Sequence, residues 1–240
     1  MKLFDCRGII INKKDFGEAD RYITIFTENY GKISVLLKGI RKSKTREQSS
    51  ADILTLSKFT LYKKNENFIL TNILTLDAYQ EIKENLENSG IGWYILTLLN
   101  SILVENNRKK SLFITTEKTL NFLKVNRDIR KNYILILCYL YTLIKEEGLN
   151  FSLGKGEYFS FEGNGFFEQE QKYSYRVNKA EKEIIEKVVN KRAKDIINSE
   201  YSLKDIKDIV FLFERYLNFH LGTEFKLKNY LMGVEEWSIL

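Results

Sequence analysis

The first 80 residues alternate apolar and polar side chains with the two-residue period of β-strands. In residues 21–27, for example, Tyr22, Thr24 and Phe26 share one face. The run Asn29-Tyr30-Gly31-Lys32 is a turn signal, and a polar run at 63–67 marks a second turn. The pattern predicts strands at 7–13, 21–27, 32–38, 56–62 and 68–76. Five short strands with a long loop after the third predict a small closed or partly closed barrel.

From about residue 78 the apolar period becomes helical. Segment 91–105 places Ile91, Ile95, Leu98, Leu99 and Ile102 at helical spacing. Further helices are predicted at 112–125, 129–147, 179–190 and 203–220, with Gly148 as a helix stop. Aromatic runs on both sides of Glu162-Gly163-Asn164 predict a hairpin at about 150–177. The fold class is therefore α+β and multi-domain: a β-barrel over 1–78, then a helical domain over 79–240 that carries a small inserted β-hairpin.

Charge is distributed unevenly along the chain. The net charge is +6 over 240 residues, and the first 80 residues hold 14 Lys/Arg against 9 Asp/Glu. The remaining 160 residues are nearly balanced, with 24 against 23. This asymmetry favours an anionic partner for the predicted barrel.

The stretch 32–46 (KISVLLKGIRKSKTR) carries six Lys/Arg and no Asp or Glu. It is interpreted as a strand that ends in a basic loop, which is suited to contact phosphates. Small barrels bind single strands in a positive groove with aromatic rings as stacking platforms. The alternative is a solvated surface loop. Six rings are candidate platforms, and most are expected in the core, with Tyr30 and Tyr62 the better exposed: Tyr22, Phe26, Tyr30, Phe59, Tyr62 and Phe68.

Catalytic signals are weak. Asp15, Glu18 and Asp20 lie close together in the sequence and are the carboxylates that a metal-dependent nuclease would need. The simpler interpretation is a turn in which Asp20 pairs with Arg21 or with the basic loop. His220 is the one histidine, and its place at a helix end favours a role in capping carbonyls. The chain is not expected to be an enzyme.

The two cysteines indicate neither a disulfide nor a metal site. Cys6 and Cys138 lie far apart in apolar runs, without ligand spacing, so reduced buried thiols are expected. The apolar run at the N-terminus is too short for a signal peptide, and no stretch approaches a membrane span. We therefore expect a cytoplasmic protein without a membrane partner.

Several motifs together resemble one family, and they occur in the expected order at both ends of the chain. The motifs are Gly8-Ile9-Ile10, Asp15-Phe16-Gly17-Glu18-Ala19-Asp20-Arg21, Thr24-Ile25-Phe26-Thr27, Tyr30-Gly31-Lys32, Lys38-Gly39-Ile40-Arg41-Lys42, Tyr216-Leu217-Asn218-Phe219-His220-Leu221-Gly222 and Leu227-Lys228. They resemble the RecO family of bacterial DNA repair proteins, whereas the middle helices match only in kind.

The resemblance implies an N-terminal OB-fold, a C-terminal helical domain and non-enzymatic work. Its implied activities are binding of single- and double-stranded DNA, annealing of complementary strands, and assistance to RecA loading together with RecR at DNA covered by single-stranded DNA-binding protein. The chain departs from the family at the inserted hairpin, where many members hold zinc with two Cys-x-x-Cys pairs.

The positions that correspond to those cysteines are Ser152, Lys155, Glu168 and Gln171, and none is a thiolate. No zinc and no other cofactor is therefore expected. The hairpin is expected to bury apolar area instead through its rings Tyr158, Phe159, Phe161, Phe166 and Phe167.

Two binding roles follow from these expectations. The predicted DNA contacts are Arg21, Lys32, Lys38, Arg41, Lys42, Lys44 and Arg46. The alternative role is a protein-interaction adaptor that docks the acidic, apolar tail of single-stranded DNA-binding protein on the helical domain, with DNA binding secondary. Candidate cations for that tail are Arg108-Lys109-Lys110, or Arg127, Arg130 and Lys131.

Overall fold

The N-terminal strands form one antiparallel sheet. The structure is a computed structural model that describes residues 2–42, 48–65 and 67–231. The strands are β1 (Leu3–Phe16), β2 (Asp20–Thr27), β3 (Gly31–Leu37), β4 (Leu56–Lys64) and β5 (Asn67–Asp77). Their order is β3-β2-β1-β4-β5, and the two edge strands β3 and β5 approach each other. The sheet therefore curls into the predicted five-stranded barrel.

The alternation of apolar and polar residues along the strands explains the barrel core. Ile10, Ile25 and Ile33 face one another across β1, β2 and β3, and all three are buried. A bulge between Ile10 and Asn12 shifts the register of β1 against β2. Bulges of this kind bend a strand and raise its twist, which lets a long strand follow a barrel wall.

Helices follow the barrel, as predicted. They are α1 (Gln80–Lys83), α2 (Leu86–Ile102), α3 (Lys110–Val125), α4 (Ile129–Glu146), α5 (Lys179–Val189), α6 (Ala193–Ile197) and α7 (Leu203–Leu221). This arrangement confirms the α+β prediction. Across the described part of the chain, no helix combines the length and apolar character that crossing a bilayer requires.

Contacts between residues divide the described chain into two compact units. The first unit extends to Val125 and includes Tyr230 and Leu231, and the second comprises Asn126–Asn229. The barrel thus shares a unit with α1, α2 and α3. The predicted domain limits at 78 and 79 mark the change from strands to helices, and as domain limits they stay a prediction.

Helix α3 packs on the barrel within the first unit. The rings of Phe26 and Phe113 meet edge to face with centroids 5.5 Å apart, and Arg7 forms an ion pair with Glu117. Lys124 bonds to Asp77 at the end of β5, with 2.8 Å between nitrogen and oxygen. These contacts attach α3 to β1, β2 and the end of β5.

The second unit contains the inserted sheet. Strands β6 (Tyr158–Ser160) and β7 (Gly165–Phe167) form the predicted hairpin, and β8 (Ser174–Arg176) adds a third strand. Phe159, Phe161 and Phe166 are buried, whereas Phe167 is exposed. Aromatic packing therefore supplies the interior of this small sheet.

Candidate nucleic-acid interface

One end of the barrel is closed by two turns that are bonded together. Ile40 is buried in the barrel core, and the backbone N–H of Arg41 donates to the carbonyl of Ala19 over 3.0 Å. The N–H of Gly39 donates to Oδ1 of Asp20 over 2.8 Å. As predicted, Asp20 thus contacts the basic loop: its side-chain oxygen accepts a hydrogen bond from the loop backbone. The start of the loop is held firmly beside the β1–β2 turn.

Cations and carboxylates alternate at this end. Arg21 donates to Asp15 over 2.8 Å, and Arg41 lies 3.3 Å from the other oxygen of the same carboxylate. Lys42 donates to Glu18 over 2.8 Å. The hydrogen bond from Arg21 lowers the pKa of Asp15 below its ordinary value, and the nearby cations add to this. We call Arg21, Lys38, Arg41 and Lys42 the cationic end of the barrel.

The members of the cationic end differ in access to solvent. Lys38 is exposed and makes no ion pair with any residue that the structure describes. The side chain of Arg21 is only 12% exposed and is held by Asp15, so it fixes the hairpin as well as adding charge. Lys38, Arg41 and Lys42 are therefore the members that geometry presents to a ligand.

Two further predicted contacts lie outside the described residues, and one lies elsewhere. Lys44 and Arg46 fall in the segment that the structure does not describe. Lys32 lies at the opposite end of β3 from Lys38, about 20 Å along the strand. Its Nζ donates to the carbonyl of Asn100 in α2 over 2.9 Å. The structure thus gives Lys32 a packing role, and its part in DNA binding stays a prediction.

An exposed aromatic pair accompanies the cations. Phe16 is 54% exposed and Tyr22 is 40% exposed, and their ring centroids are 5.4 Å apart. Tyr22 faces Lys14 across β1 and β2. Sequence reasoning missed Phe16, because the run around it was interpreted as a polar turn. The signal that could have found it is the strand register, which carries β1 through to this residue.

The other candidate rings are less exposed. Tyr30 is half-buried rather than exposed, and its ring packs on those of Phe4 and Phe68, with centroids 4.9 Å and 5.5 Å away. Tyr62 is also half-buried, and Phe26 and Phe59 are buried. Tyr22 is therefore the platform that the structure favours among the six.

An open groove lies beside the cationic end, where β3 and β5 meet. Leu37 and Ile40 line one side, and residues 70–75 of β5 line the other. Leu74 on that strand is exposed. The groove is lined by both apolar and polar residues, and Lys38 follows Leu37 directly in the sequence. A mixed lining beside a cation suits an extended chain of nucleotides.

The carboxylates of this end are engaged in structural contacts. Asp15 and Glu18 form ion pairs and Asp20 holds a turn, so the three do not converge on one point. Among the described residues, no group of three or more His, Cys, Asp or Glu side chains is placed to share a metal ion. The geometry therefore gives the three carboxylates the turn and ion-pair contacts of the turn interpretation.

His220 makes a different contact from the one predicted. Its Nε2 lies 3.1 Å from the carbonyl oxygen of Phe161, and its ring packs on Tyr216 with centroids 4.5 Å apart. It thus ties the end of α7 to the inserted sheet instead of capping carbonyls of its own helix.

Burial disfavours ionisation of both thiols. Burial raises the pKa of Cys6 to about 12 and that of Cys138 to about 11. Each thiol is free, and Cys6 is buried in the barrel core. Thiols this far from ionisation are poor nucleophiles and poor metal ligands.

The cations proposed for docking a partner tail are largely engaged. Arg130 donates to the carbonyls of Ile196, Ile197 and Ser199, each over 2.9 Å, and so caps the C-terminus of α6. Lys110 pairs with Glu28 at 3.1 Å. The others with printed contacts are Lys131 with Asp128, Arg127 with the carbonyl of Asn126, and Arg108 with Asn29.

Comparison with known proteins identifies one matching family model and several similar proteins, each over part of the chain. The family model for the N-terminal domain of recombination protein O matches residues 1–79, which cover the whole barrel. A DNA repair protein RecO from Acetivibrio thermocellus is 31% identical over 119 residues, which are 48% of this chain and 47% of that protein.

Two clostridial proteins named DNA repair protein RecO match over longer segments. The one from Clostridium novyi is 24% identical over 155 residues, 65% of this chain and 60% of its own length. The one from Clostridium acetobutylicum is 26% identical over 153 residues, which are 64% of this chain and 61% of that protein. In its matched segments the chain spans about half the length of the relatives it matches. The N-terminal barrel is thus the domain that the family model describes, and its fold is an OB-fold.

Proposed function

We propose that the chain is a RecO-family protein and a DNA-binding recombination mediator in DNA repair, because the N-terminal domain model of recombination protein O matches residues 1–79 and the similar proteins are DNA repair proteins RecO. The observation that carries this proposal is the cationic end of an OB-fold barrel with the exposed ring pair of Phe16 and Tyr22. In finer terms, the chain binds single- and double-stranded DNA, anneals complementary strands, and assists RecA loading together with RecR.

Phosphates replace carboxylates in the proposed binding step. The pair of Lys42 and Glu18 is exposed, and exposed ion pairs contribute only about 0–1 kcal/mol. Lys42 can therefore leave Glu18 for a phosphate at small cost, while Lys38 is ready without any exchange. The released counterions of the nucleic acid supply the driving force.

Annealing follows from neutralised charge. Two complementary strands repel each other through their phosphates. A cationic surface that contacts both strands lowers this repulsion and raises their local concentration. The bases remain available for pairing, so base pairing supplies the sequence specificity and the protein reads only the backbone.

The proposed partners are DNA, RecR and single-stranded DNA-binding protein, and the proposed location is the cytoplasm. No catalytic step is proposed. The adaptor role on the helical domain receives no support from Arg130, because that guanidinium is occupied in capping α6. The cationic end of the barrel is therefore the better-supported surface.

Replacement of Glu18 by Gln is expected to strengthen DNA binding. The Glu18 side chain is 89% exposed and competes with phosphate for Lys42. Its loss removes one repulsive charge and one competing partner, so the dissociation constant for single-stranded DNA should fall about two- to threefold at low salt. Fluorescence anisotropy with a labelled oligothymidylate measures this. Weaker binding of the Glu18→Gln variant would contradict the assignment of Lys42 as a phosphate contact.

A salt-titrated annealing assay tests the proposed function. Two complementary oligonucleotides carrying a fluorophore and a quencher are mixed with and without protein. With about five phosphate contacts, affinity should fall roughly 100-fold between about 50 mM and 200 mM salt, and the acceleration should fall with it. A non-complementary pair controls for aggregation. The proposal fails if the protein does not accelerate duplex formation at low salt.

A further inference from the structure

An exposed row of aromatic rings lies on the second unit. The rings of Tyr175 and Phe161 stack at 5.0 Å, Phe161 meets Phe219 at 5.7 Å, and Phe219 meets Tyr173 at 5.4 Å between centroids. Phe161 is buried and anchors the row, whereas Tyr173 is 52% exposed and Phe219 is 40% exposed. We call these four residues the ring row.

A cation sits at each end of the ring row. Lys172 Nζ lies 4.9 Å from the centroid of Tyr173, and the guanidinium carbon of Arg215 lies 5.2 Å from that of Tyr175. Neither cation forms an ion pair with the residues that the structure describes. Arg215 shares its groove with Asp208, so Lys172 is the cation that remains available to an anionic ligand along the rings.

The backbone of Tyr173 is strained. Its φ is +53°, in the left-handed region that bulky side chains rarely adopt. Its carbonyl accepts a hydrogen bond from the N–H of Phe161 over 3.0 Å, which ties this conformation to the sheet. The strained conformation places a large ring on the surface, where it buries little. Strain of this kind concentrates at functional positions.

We propose that Tyr173 and Phe219 stack unpaired bases of single-stranded DNA while Lys172 contacts the adjoining phosphates. Rings with interspersed cations are the combination that binds single strands without reading their sequence. The groove on the Tyr175 side is lined by Glu181 and Asp208, which disfavours phosphate there. The binding surface is therefore centred on the Lys172 side of the ring row.

This surface extends the proposed DNA binding to the second unit, and the two can be tested separately. Phosphate contacts by the cations of the barrel and by Lys172 set the salt dependence of binding, whereas stacking requires bases. An abasic phosphodiester of the same length as an oligothymidylate keeps the charges and removes the bases. The difference in affinity between these two probes is therefore a measure of stacking that the barrel charges do not determine.

The experiment compares both probes on the full chain by anisotropy. The double variant Tyr173→Ala/Phe219→Ala is expected to bind oligothymidylate about tenfold more weakly, with the same salt slope and with unchanged affinity for the abasic strand. The variant Tyr173→Phe/Phe219→Tyr keeps both rings and should bind as the unaltered chain does. Phe167→Ala removes an exposed ring of the same sheet outside the row and serves as the matched control.

A second measurement covers failure of the double variant to fold. Oligonucleotides with 5-iodouracil are crosslinked by light to the unaltered protein, and the modified residues are identified by mass spectrometry. Crosslinks at Tyr173 or Phe219 support the proposal. Unchanged affinity for oligothymidylate in a folded double variant, an equal loss on the abasic strand, or crosslinks confined to the barrel would overturn it. If the ring row bound only peptides, the folded double variant would keep its affinity for oligothymidylate.

Discussion

Replacement of Lys38, Lys42, Lys44 and Arg46 by Ala is expected to weaken single-stranded DNA binding roughly 100-fold or more near physiological salt. Lys38 and Lys42 belong to the cationic end, and the other two follow them in the sequence. Each phosphate contact contributes about 0.7 to the slope of log affinity against log salt for single strands. Loss of four contacts should therefore flatten the slope by about 2.8, for every base sequence alike.

Arg21 and Arg41 are left in place in this variant because they also hold the fold. Arg21 donates to Asp15, and Arg41 donates to the carbonyl of Gly17 over 3.1 Å. Their removal would loosen the β1–β2 turn and confuse a loss of charge with a loss of structure. Lys38 and Lys42 avoid this problem, since neither holds a buried contact.

The matched control removes four exposed lysines elsewhere and so changes net charge equally. They are Lys118, Lys179, Lys194 and Lys226. Affinity is measured by anisotropy from about 50 mM to 200 mM salt for the two variants and the unaltered chain. Equal losses in both variants would show that only net charge matters. An unchanged slope in the loop variant would disprove the assignment of the loop as the phosphate-binding surface.

The elements of the barrel could be predicted from sequence because alternation reports directly which face of a strand is buried. Residues 21–27 and 32–38 were predicted almost as β2 and β3 are found. Some very short elements were not predicted. The three residues of β8 and the five of α6 contain too few positions to show a hydrophobic period. Their presence depends on tertiary contacts, such as the cap that Arg130 places on α6.

The candidate site was predictable in composition but not in geometry. The basic run was visible because it lacks acidic residues between 32 and 46. The pairing of this run with Asp15 and Glu18 could not be predicted, because those carboxylates come from a hairpin more than twenty residues earlier. Lys32 shows the same limit. Sequence proximity grouped it with the loop, whereas a strand rises about 3.3 Å per residue and carries it to the other end of the barrel.

Gly31→Ala is expected to destabilise the first unit by about 3 kcal/mol or more. Gly31 has φ +69°, and an added Cβ would lie 2.0 Å from the carbonyl oxygen of Asn107. That backbone cannot easily move, because the neighbouring N–H of Asn106 donates to the carbonyl of Lys32 over 2.9 Å. The substitution therefore combines conformational strain with a backbone clash that would separate β3 from the segment after α2.

Gly39→Ala is the matched control, and it separates the two causes. Gly39 has φ +67°, almost the same as Gly31, but nothing lies within 4 Å of its added Cβ. Its cost should be the conformational strain alone, about 1–2 kcal/mol. Urea unfolding followed by circular dichroism measures both, and the Gly31 variant should unfold at distinctly lower denaturant. Equal losses for the two variants would mean that the close approach to Asn107 does not contribute to the requirement for glycine at residue 31.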